Sequence, residues 1–208
     1  GSISTAKIAD TAISTAKIAD NAIVTGKITD GTIATADIAD SAVTAVKTSG
    51  VGISMADQWR LTTNFTGDAN PIASNLERID SDGQGTIGTA MSESSGVFTF
   101  PLTGIYFVEF QVYSNNNTGN WYHTVGIDID NGNGSGFNRR AEGEAWGTNA
   151  GESQIFYSSG NVKTLVDVDN TSNVKVRFSV DAFASSTTTQ GSTNLNKTFM
   201  TFIRLGDT

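Results

Sequence analysis

ISTAKIADTA (3–12), ISTAKIADNA (13–22), IVTGKITDGT (23–32) and IATADIADSA (33–42) stand in tandem, followed by a fading VTAVKTSGVG (43–52). Ile3, Ile8, Ile13, Ile18, Ile23, Ile28, Ile33, Ile38 and Val43 fall every five residues. Asp10, Asp20, Asp30 and Asp40 recur at one place in the ten-residue unit, and Thr5, Thr15, Thr25 and Thr35 at another. Repetition of this kind decides the architecture before any local propensity does. An α-helix advances about 100° per residue, so residues five apart lie about 140° apart and no single face collects the isoleucines. No heptad is present, and glycine is not at every third position, which excludes a coiled coil and collagen. In a flat strand, residues five apart point to opposite faces. The chain must bend between successive isoleucines. The Asp-Thr, Asp-Asn, Asp-Gly and Asp-Ser pairs at 10, 20, 30 and 40 suit bends, because short polar side chains bond to nearby backbone. The expected unit is a short extended segment, a turn, and another short segment.

Two isoleucines and a few alanines per unit are too little apolar surface to offset the ordering of ten residues. Three parallel copies wound about one axis would bury the isoleucines and leave Lys7, Lys17, Lys27 and the aspartates outside. A single-chain solenoid is the alternative. The small residues two before each isoleucine (Ala6, Thr11, Ala16, Asn21) partly resemble a pentapeptide-repeat protein. On this length such a coil would close about two turns, fewer than the roughly three usually needed. Lys7, Ala12, Lys17 and Ala22 also stand where that family places an acidic or amide residue. The preferred reading is a three-chain fibrous shaft over residues 1–49, with Ile3, Ile8, Ile13, Ile18, Ile23, Ile28, Ile33 and Ile38 on its axis.

Residues 1–49 carry four lysines and five aspartates, net -1, so most of the whole chain's net charge of -8 lies in the remainder. An acidic domain repels phosphate backbones and anionic bilayers, so no nucleic-acid partner is expected. No apolar run approaches the roughly 20 residues that span a bilayer, so no membrane insertion is expected. The chain has no cysteine, which leaves no disulfide framework and no thiolate nucleophile. It opens in register with its repeat, on Gly1 and not on an initiator Met, so it is expected to be the C-terminal part of a longer chain or an engineered fragment.

The repeat breaks at a junction, residues 50–57, where Gly50 and Gly52 supply freedom. From Gln58 to Thr208 the texture changes to alternating apolar runs separated by Gly/Asn/Ser/Asp clusters, the pattern of an antiparallel sandwich. Strands are expected at 58–66, 97–101, 104–114, 121–130, 139–146, 153–159, 163–169, 174–183 and 198–206, with two or three short ones between 71 and 93. Tyr106, Val108, Phe110 and Val112 share one face, as do Val174, Val176, Phe178 and Val180. The last strand is apolar on both faces. Phe199, Met200, Phe202 and Ile203 are therefore expected to straddle the core and a subunit contact at the trimer axis.

SGVFTFPLTGIYFVEFQV (95–112) resembles the signature of the C1q-like domain of the C1q/TNF superfamily. LERIDSDGQGTIG (76–88) resembles its short strands and Gly turns, and TFMTFIRL (198–205) its closing strand. The resemblance covers about residues 58–208. It implies a jelly roll that forms homotrimers, with the last strand near the three-fold axis. The tandem ISTAKIADTA units are similar to repeats in the tail fibres of bacterial viruses, which end in a globular receptor-binding head. Both resemblances imply three chains.

Chemistry has few places to reside. His123 is the single histidine and shares parity with Trp121, Val125, Ile127 and Ile129, so it is expected to face the core or a subunit contact. There is no Gly-x-Ser-x-Gly elbow. Glu142 and Glu144 share a strand face beside Trp146 and form the best carboxylate pair, but a solvated face explains them better. In DIDNGNGSG (128–136), Asp128 and Asp130 fit a calcium loop, whereas Gly132 and Asn133 do not, and an Asn-Gly hairpin turn explains the stretch better. No cofactor is expected. C1q-like trimers sometimes hold calcium near the axis, so calcium is the one ion the resemblance allows, with no ligands assigned.

Four loops remain as contact surfaces: 114–120, 131–138, 147–153 and 184–196. Their amides and hydroxyls suit sugar hydroxyls, and their aromatics can stack on sugar faces. The candidate receptor contacts are Asn116, Asn117, Trp121, Tyr122, Phe137, Trp146, Thr188 and Gln190. The whole is read as all-β: a C-terminal C1q/TNF-like jelly-roll head on an N-terminal, β-rich repetitive shaft, homotrimeric. The expected role is a virion tail fibre, extracellular and not an enzyme. Its head would bind a host-surface glycan or protein, and its N-terminal part other virion proteins. The alternative is a cellular extracellular filament or matrix protein with self-associating heads.

Overall fold

A computed structural model describes residues 13, 17–20, 22–40, 42–43, 52–80, 83–116, 121–147, 155–182 and 184–208, with Thr25 and Trp121 described by backbone alone. Ile3, Ile8, Asn117 and the Trp121 side chain, named above, lie outside the described residues. The chain divides into two units, Gly1–Thr48 and Ser49–Thr208.

In the first unit the five-residue period is a period of turns. Backbone N–H groups of Ala22, Lys27, Thr32, Asp37 and Ala42 donate to the carbonyls of Ala19, Val24, Thr29, Ala34 and Ala39. The expected unit had one turn per ten residues and extended segments between. Among the described residues there are two turns per ten and no strand, so the β-rich expectation is corrected here. Asp30-Gly31 occupies the centre of a turn in one set, with Gly31 at φ 77°. The other set closes as short 3-10 turns at Thr25–Lys27 and Thr35–Asp37. Local bonds support them: the Ala34 N–H donates to Asp37 Oδ2 at 2.8 Å, and Lys27 Nζ to the Ala22 carbonyl at 2.9 Å. Ile18, Ile28 and Ile38 are each 41% exposed, and Ile13, Ile23 and Ile33 are 54–56% exposed. The repeat therefore buries none of these six isoleucines within its own chain.

The second unit contains β1 (Met55–Leu61), β2 (Phe65–Thr66), β3 (Leu76–Arg78), β4 (Ser92–Ser94), β5 (Val97–Thr99), β6 (Gly104–Asn116), β7 (Trp121–Asn131), β8 (Asn138–Gly147), β9 (Phe156–Val168), β10 (Val174–Ala182), β11 (Thr188–Thr189) and β12 (Phe199–Gly206). One sheet has the order β2-β11-β6-β12-β1-β3, with β9 paired along β6; the other has the order β4-β5-β10-β7-β8. β1 begins at Met55, inside the stretch read as a junction. The two strands expected at 153–159 and 163–169 are one continuous strand, β9. Gly160 reads as a break, but it is a point of close approach. A Cβ there would come to 3.2 Å from Ala145 and 3.3 Å from Val125, on the opposing sheet.

The inward faces follow the parity of the sequence. Tyr106, Val108, Phe110 and Val112 are wholly buried against Val176, Phe178 and Val180. Phe98 stands at the centre, with ring centroids 5.4 Å from Trp59, 5.4 Å from Phe178 and 5.2 Å from Phe202. Full burial of one such side chain stabilises the fold by about 1.5–3 kcal/mol. A buried carboxylate fixes the start of the sheet: Asp57 Oδ2 accepts from Trp59 Nε1 at 3.1 Å and from the Met91 N–H at 2.9 Å, beside Arg78.

Met200 and Phe202 belong to this core, with no exposed surface, so they do not line a subunit axis. Phe199 and Ile203 point the other way. Register places Leu165, Phe107, Ile203, Ala56 and Ile87 side by side across five adjacent segments on the outer face. The ends of this apolar row are uncovered, Leu165 at 61% exposed and Ile87 at 49%, and Phe107, Ile203 and Ala56 between them are half-buried.

Candidate functional site

β7 and β8 form the outer corner of the second sheet, with β8 at its edge. Register pairs Tyr122 with Trp146, Thr124 with Glu144, and Gly126 with Glu142; from the other side β10 brings Asp181 opposite Thr124 and Ser179 opposite Gly126. All these residues face away from the core, because His123, Val125 and Ile127 take the inward positions. Tyr122 and Trp146 stack, with centroids 4.9 Å apart and planes at 28°. Trp146 Nε1 donates to Glu144 Oε2 at 3.1 Å, and 64% of the tryptophan is exposed.

Beside the aromatic pair lies a charged cluster centred on Arg139. Its Nε donates to Asp128 Oδ1 at 2.6 Å and its Nη1 to Glu142 Oε2 at 2.7 Å. Its Nη2 donates to Ser179 Oγ at 2.7 Å and to Asp181 Oδ2 at 3.0 Å. Burial opposes the charge on this guanidinium. Hydrogen bonds to Asp128, Asp181 and Glu142, with the Asp128 charge, outweigh it and hold its pKa above the ordinary value. Gly126 makes room: a Cβ there would lie 2.3 Å from Arg139 Cζ. Arg177 Nε also donates to Asp128 Oδ2, at 3.3 Å, and Arg177 sits over the Phe137 ring, 4.6 Å from its centroid.

Among the described residues the candidate contacts fall into separate groups: Tyr122 and Trp146 stack on the exposed face, while Asn116, Thr188 and Gln190 meet where β6 and β11 pair. Phe137 lies at the other end of β7, about 20 Å away at strand rise, and is committed to Arg177. Asn116 is not a contact surface. It is buried, and its Nδ2 donates to Ser186 Oγ at 3.2 Å and Thr187 Oγ1 at 2.9 Å. Gln190 is likewise turned inward, its Nε2 donating to Asn115 Oδ1 at 2.7 Å. The Thr188 hydroxyl pairs with that of Thr66 at 3.1 Å. These polar residues tie β6, β11 and β2 together, which loop composition alone does not reveal. Arg139 was not singled out from sequence. The one signal available was its place two residues after a half-buried aromatic and opposite an aspartate, once register is known.

His123 is buried, with Ser114 Oγ 3.2 Å from Nδ1 and 3.4 Å from Nε2. Burial pushes its pKa down to about 4. Glu142 and Glu144 are bonded to Arg139 and Trp146, not to each other. In the stretch weighed as a calcium loop, both oxygens of Asp128 face arginines, and Asp130 Oδ1 accepts the Gly132 N–H at 2.9 Å. Among the described residues no three acidic or histidine side chains are grouped to hold a metal. A hollow of about 400 Å³ lined by residues 65–75 contains one ionisable side chain, Asp68, whose Oδ1 accepts the Ala182 N–H. Among the described residues no helix is long and apolar enough to cross a membrane.

No protein-family model matches the chain. No curated protein is significantly similar to it in sequence. Among solved structures it is similar to Eiger TNF from S. frugiperda, with a TM-score of 0.52 and 13% identity over 74% of this chain and 93% of that one. Murine APRIL at pH 5.0 aligns with a TM-score of 0.48 and 12% identity, over 73% of this chain and 98% of that one. The sheet orders and the Eiger likeness give the second unit an all-β, TNF-like jelly-roll fold.

Proposed function

We propose that this chain is a homotrimeric fibre protein of a virion, of the tail-fibre type, whose C1q/TNF-type domain attaches to a glycan or protein on a host surface. It works by binding and not by catalysis. The observation that carries the reading is outward-facing apolar surface on both units: exposed isoleucines every five residues in the first, and in the second the Leu165–Phe107–Ile203–Ala56–Ile87 row, exposed at its ends and half-buried between. Apolar surface of this extent and regularity marks an interface with other chains. Parallel copies of the repeat bring equivalent isoleucines together at every level, and the row gives the second unit its own self-association surface. The resemblance of the repeat to viral tail fibres, and of the second unit to C1q-like domains, supports three as the number. Three binding domains per fibre turn weak single contacts into durable attachment by raising effective concentration.

Sedimentation equilibrium of the full chain tests the assembly, and adhesion of the labelled protein to intact cells tests the role. Three chains per particle are expected, with Ile203→Asp reducing association while near-native circular dichroism is retained. A monomer at micromolar concentration overturns the reading. The second reading is an extracellular filament or matrix protein with self-associating heads, which the same apolar row favours. It predicts assemblies beyond three chains in the same run.

A further inference from the structure

We infer that the Tyr122–Trp146 corner is a stacking platform for one hexose residue, neutral or amine-bearing, of a surface polysaccharide; this deepens the attachment reading and rests on it. Trp146 is an indole held open. One face lies on Tyr122, its Nε1–H is tethered to Glu144, and the residue remains 64% exposed on an edge strand. Tryptophan is ordinarily well buried on average, so an exposed one that is already immobilised stands out. Its rotamer freedom is spent before any ligand arrives, which lowers the entropic cost of binding. The flat C–H face of a pyranose matches an open aromatic face of this kind.

Polar partners for the same sugar lie one rung away. Glu144, Thr124 and Asp181 stand side by side in register, next to the aromatic rung. Residues two apart along a strand are separated by about 7 Å, and cross-strand neighbours by about 5 Å. A ring stacked on Trp146 thus presents its hydroxyls to a row of carboxylate and hydroxyl oxygens. Glu142 and Asp181 are about half exposed, at 52% and 47% of their side chains, and flank the site with Glu144. Arg139, the cation between them, is engaged by Asp128, Glu142 and Asp181. The carboxylates around the site disfavour phosphate, sulfate and uronate groups and favour hydroxyls or an ammonium, although Arg140 is exposed on the same strand. The apolar row belongs to the outer face of the other sheet, so self-association through that row does not use the aromatic corner.

The test is a fluorescence and calorimetric titration of the full chain with hexamers of glucose, mannose, glucosamine and galacturonate. At least one of the first three is expected to bind, Trp146→Ala to weaken it tenfold or more, and Trp146→Tyr to restore part of the loss. Glu144→Gln is expected to weaken the glucosamine hexamer selectively. Failure of all three non-acidic sugars at millimolar concentration overturns the platform. So does equal binding of galacturonate, equal binding by Trp146→Ala, or a changed sedimentation coefficient in that variant, which would make Trp146 a subunit contact. Parent and Trp146→Ala are compared on intact cells as well. Equal adhesion by both keeps the adhesin and removes the platform; sugar binding without adhesion to cells keeps the platform and removes the adhesin.

Discussion

Acidification should destabilise the jelly roll through a single side chain. His123 lies on the inward face of β7, between Ala145 and Ala182 in register, wholly buried, with the Ser114 hydroxyl at its ring. Desolvation by burial lowers its pKa from 6.5 to about 4. In the unfolded chain the ring takes up a proton near pH 6.5, and in the folded chain only near pH 4. The unfolded state therefore binds more protons across that window. Stability from this group is fully present above about pH 6.5 and is lost as the pH falls towards 4. Each pH unit inside the window costs about 1.4 kcal/mol, so the full loss is about 3 kcal/mol per chain. The assay is urea denaturation at fixed protein concentration from about pH 7 to about pH 4, for the parent and for His123→Gln. Gln keeps a polar group beside Ser114 and cannot titrate. It should be the less stable protein at neutral pH, and its disadvantage should shrink by about 3 kcal/mol on acidification. Carboxylates titrate in both proteins and cancel in the difference. Parallel stability curves would refute the reasoning and move the acid sensitivity to another group.

Phe202→Ala removes a ring in contact with Phe98 and Phe178, at 5.2 and 5.8 Å between centroids. It should cost about 3–5 kcal/mol, measured by the same denaturation, and a cost below about 1 kcal/mol would contradict the core placement. Ile28→Asp puts a charge on the aliphatic row of the repeat and, in a three-chain shaft, three charges at one level. Loss of association or a lower melting temperature of the repeat is expected, because unpaired charge is costly to bury. Unchanged sedimentation and melting would mean that the isoleucines do not meet between chains.

The core was legible from local pattern. In GIYFVEFQVY and VKVRFSVDA every second residue is apolar, and an extended chain must send such residues to one face, so both inward faces could be assigned before any partner strand was known. The five-residue period was legible for the same reason: it is a property of the chain itself. The second turn in each ten residues was not. Thr-Gly-Lys and Thr-Ala-Asp carry weaker turn chemistry than Asp-Asn or Asp-Gly, and their closure shows only in the hydrogen bonds.

What tertiary structure decided was which face is covered, and by what. Parity separated Met200 and Phe202 from Phe199 and Ile203, but both sets are apolar, and only the opposing sheet identifies the core side. Asn116 and Gln190 have the composition of a solvent-facing loop, yet Ser186, Thr187 and Asn115 satisfy them in buried positions. Trp146 carries the opposite lesson. Its type predicts burial, and its place on an edge strand, outward and beside Tyr122, exposes it. Period and propensity act between residues close in sequence, so the sequence alone determines them. Cover is supplied by segments tens of residues away, and register, which a shift of one residue would invert, is set only when those segments meet.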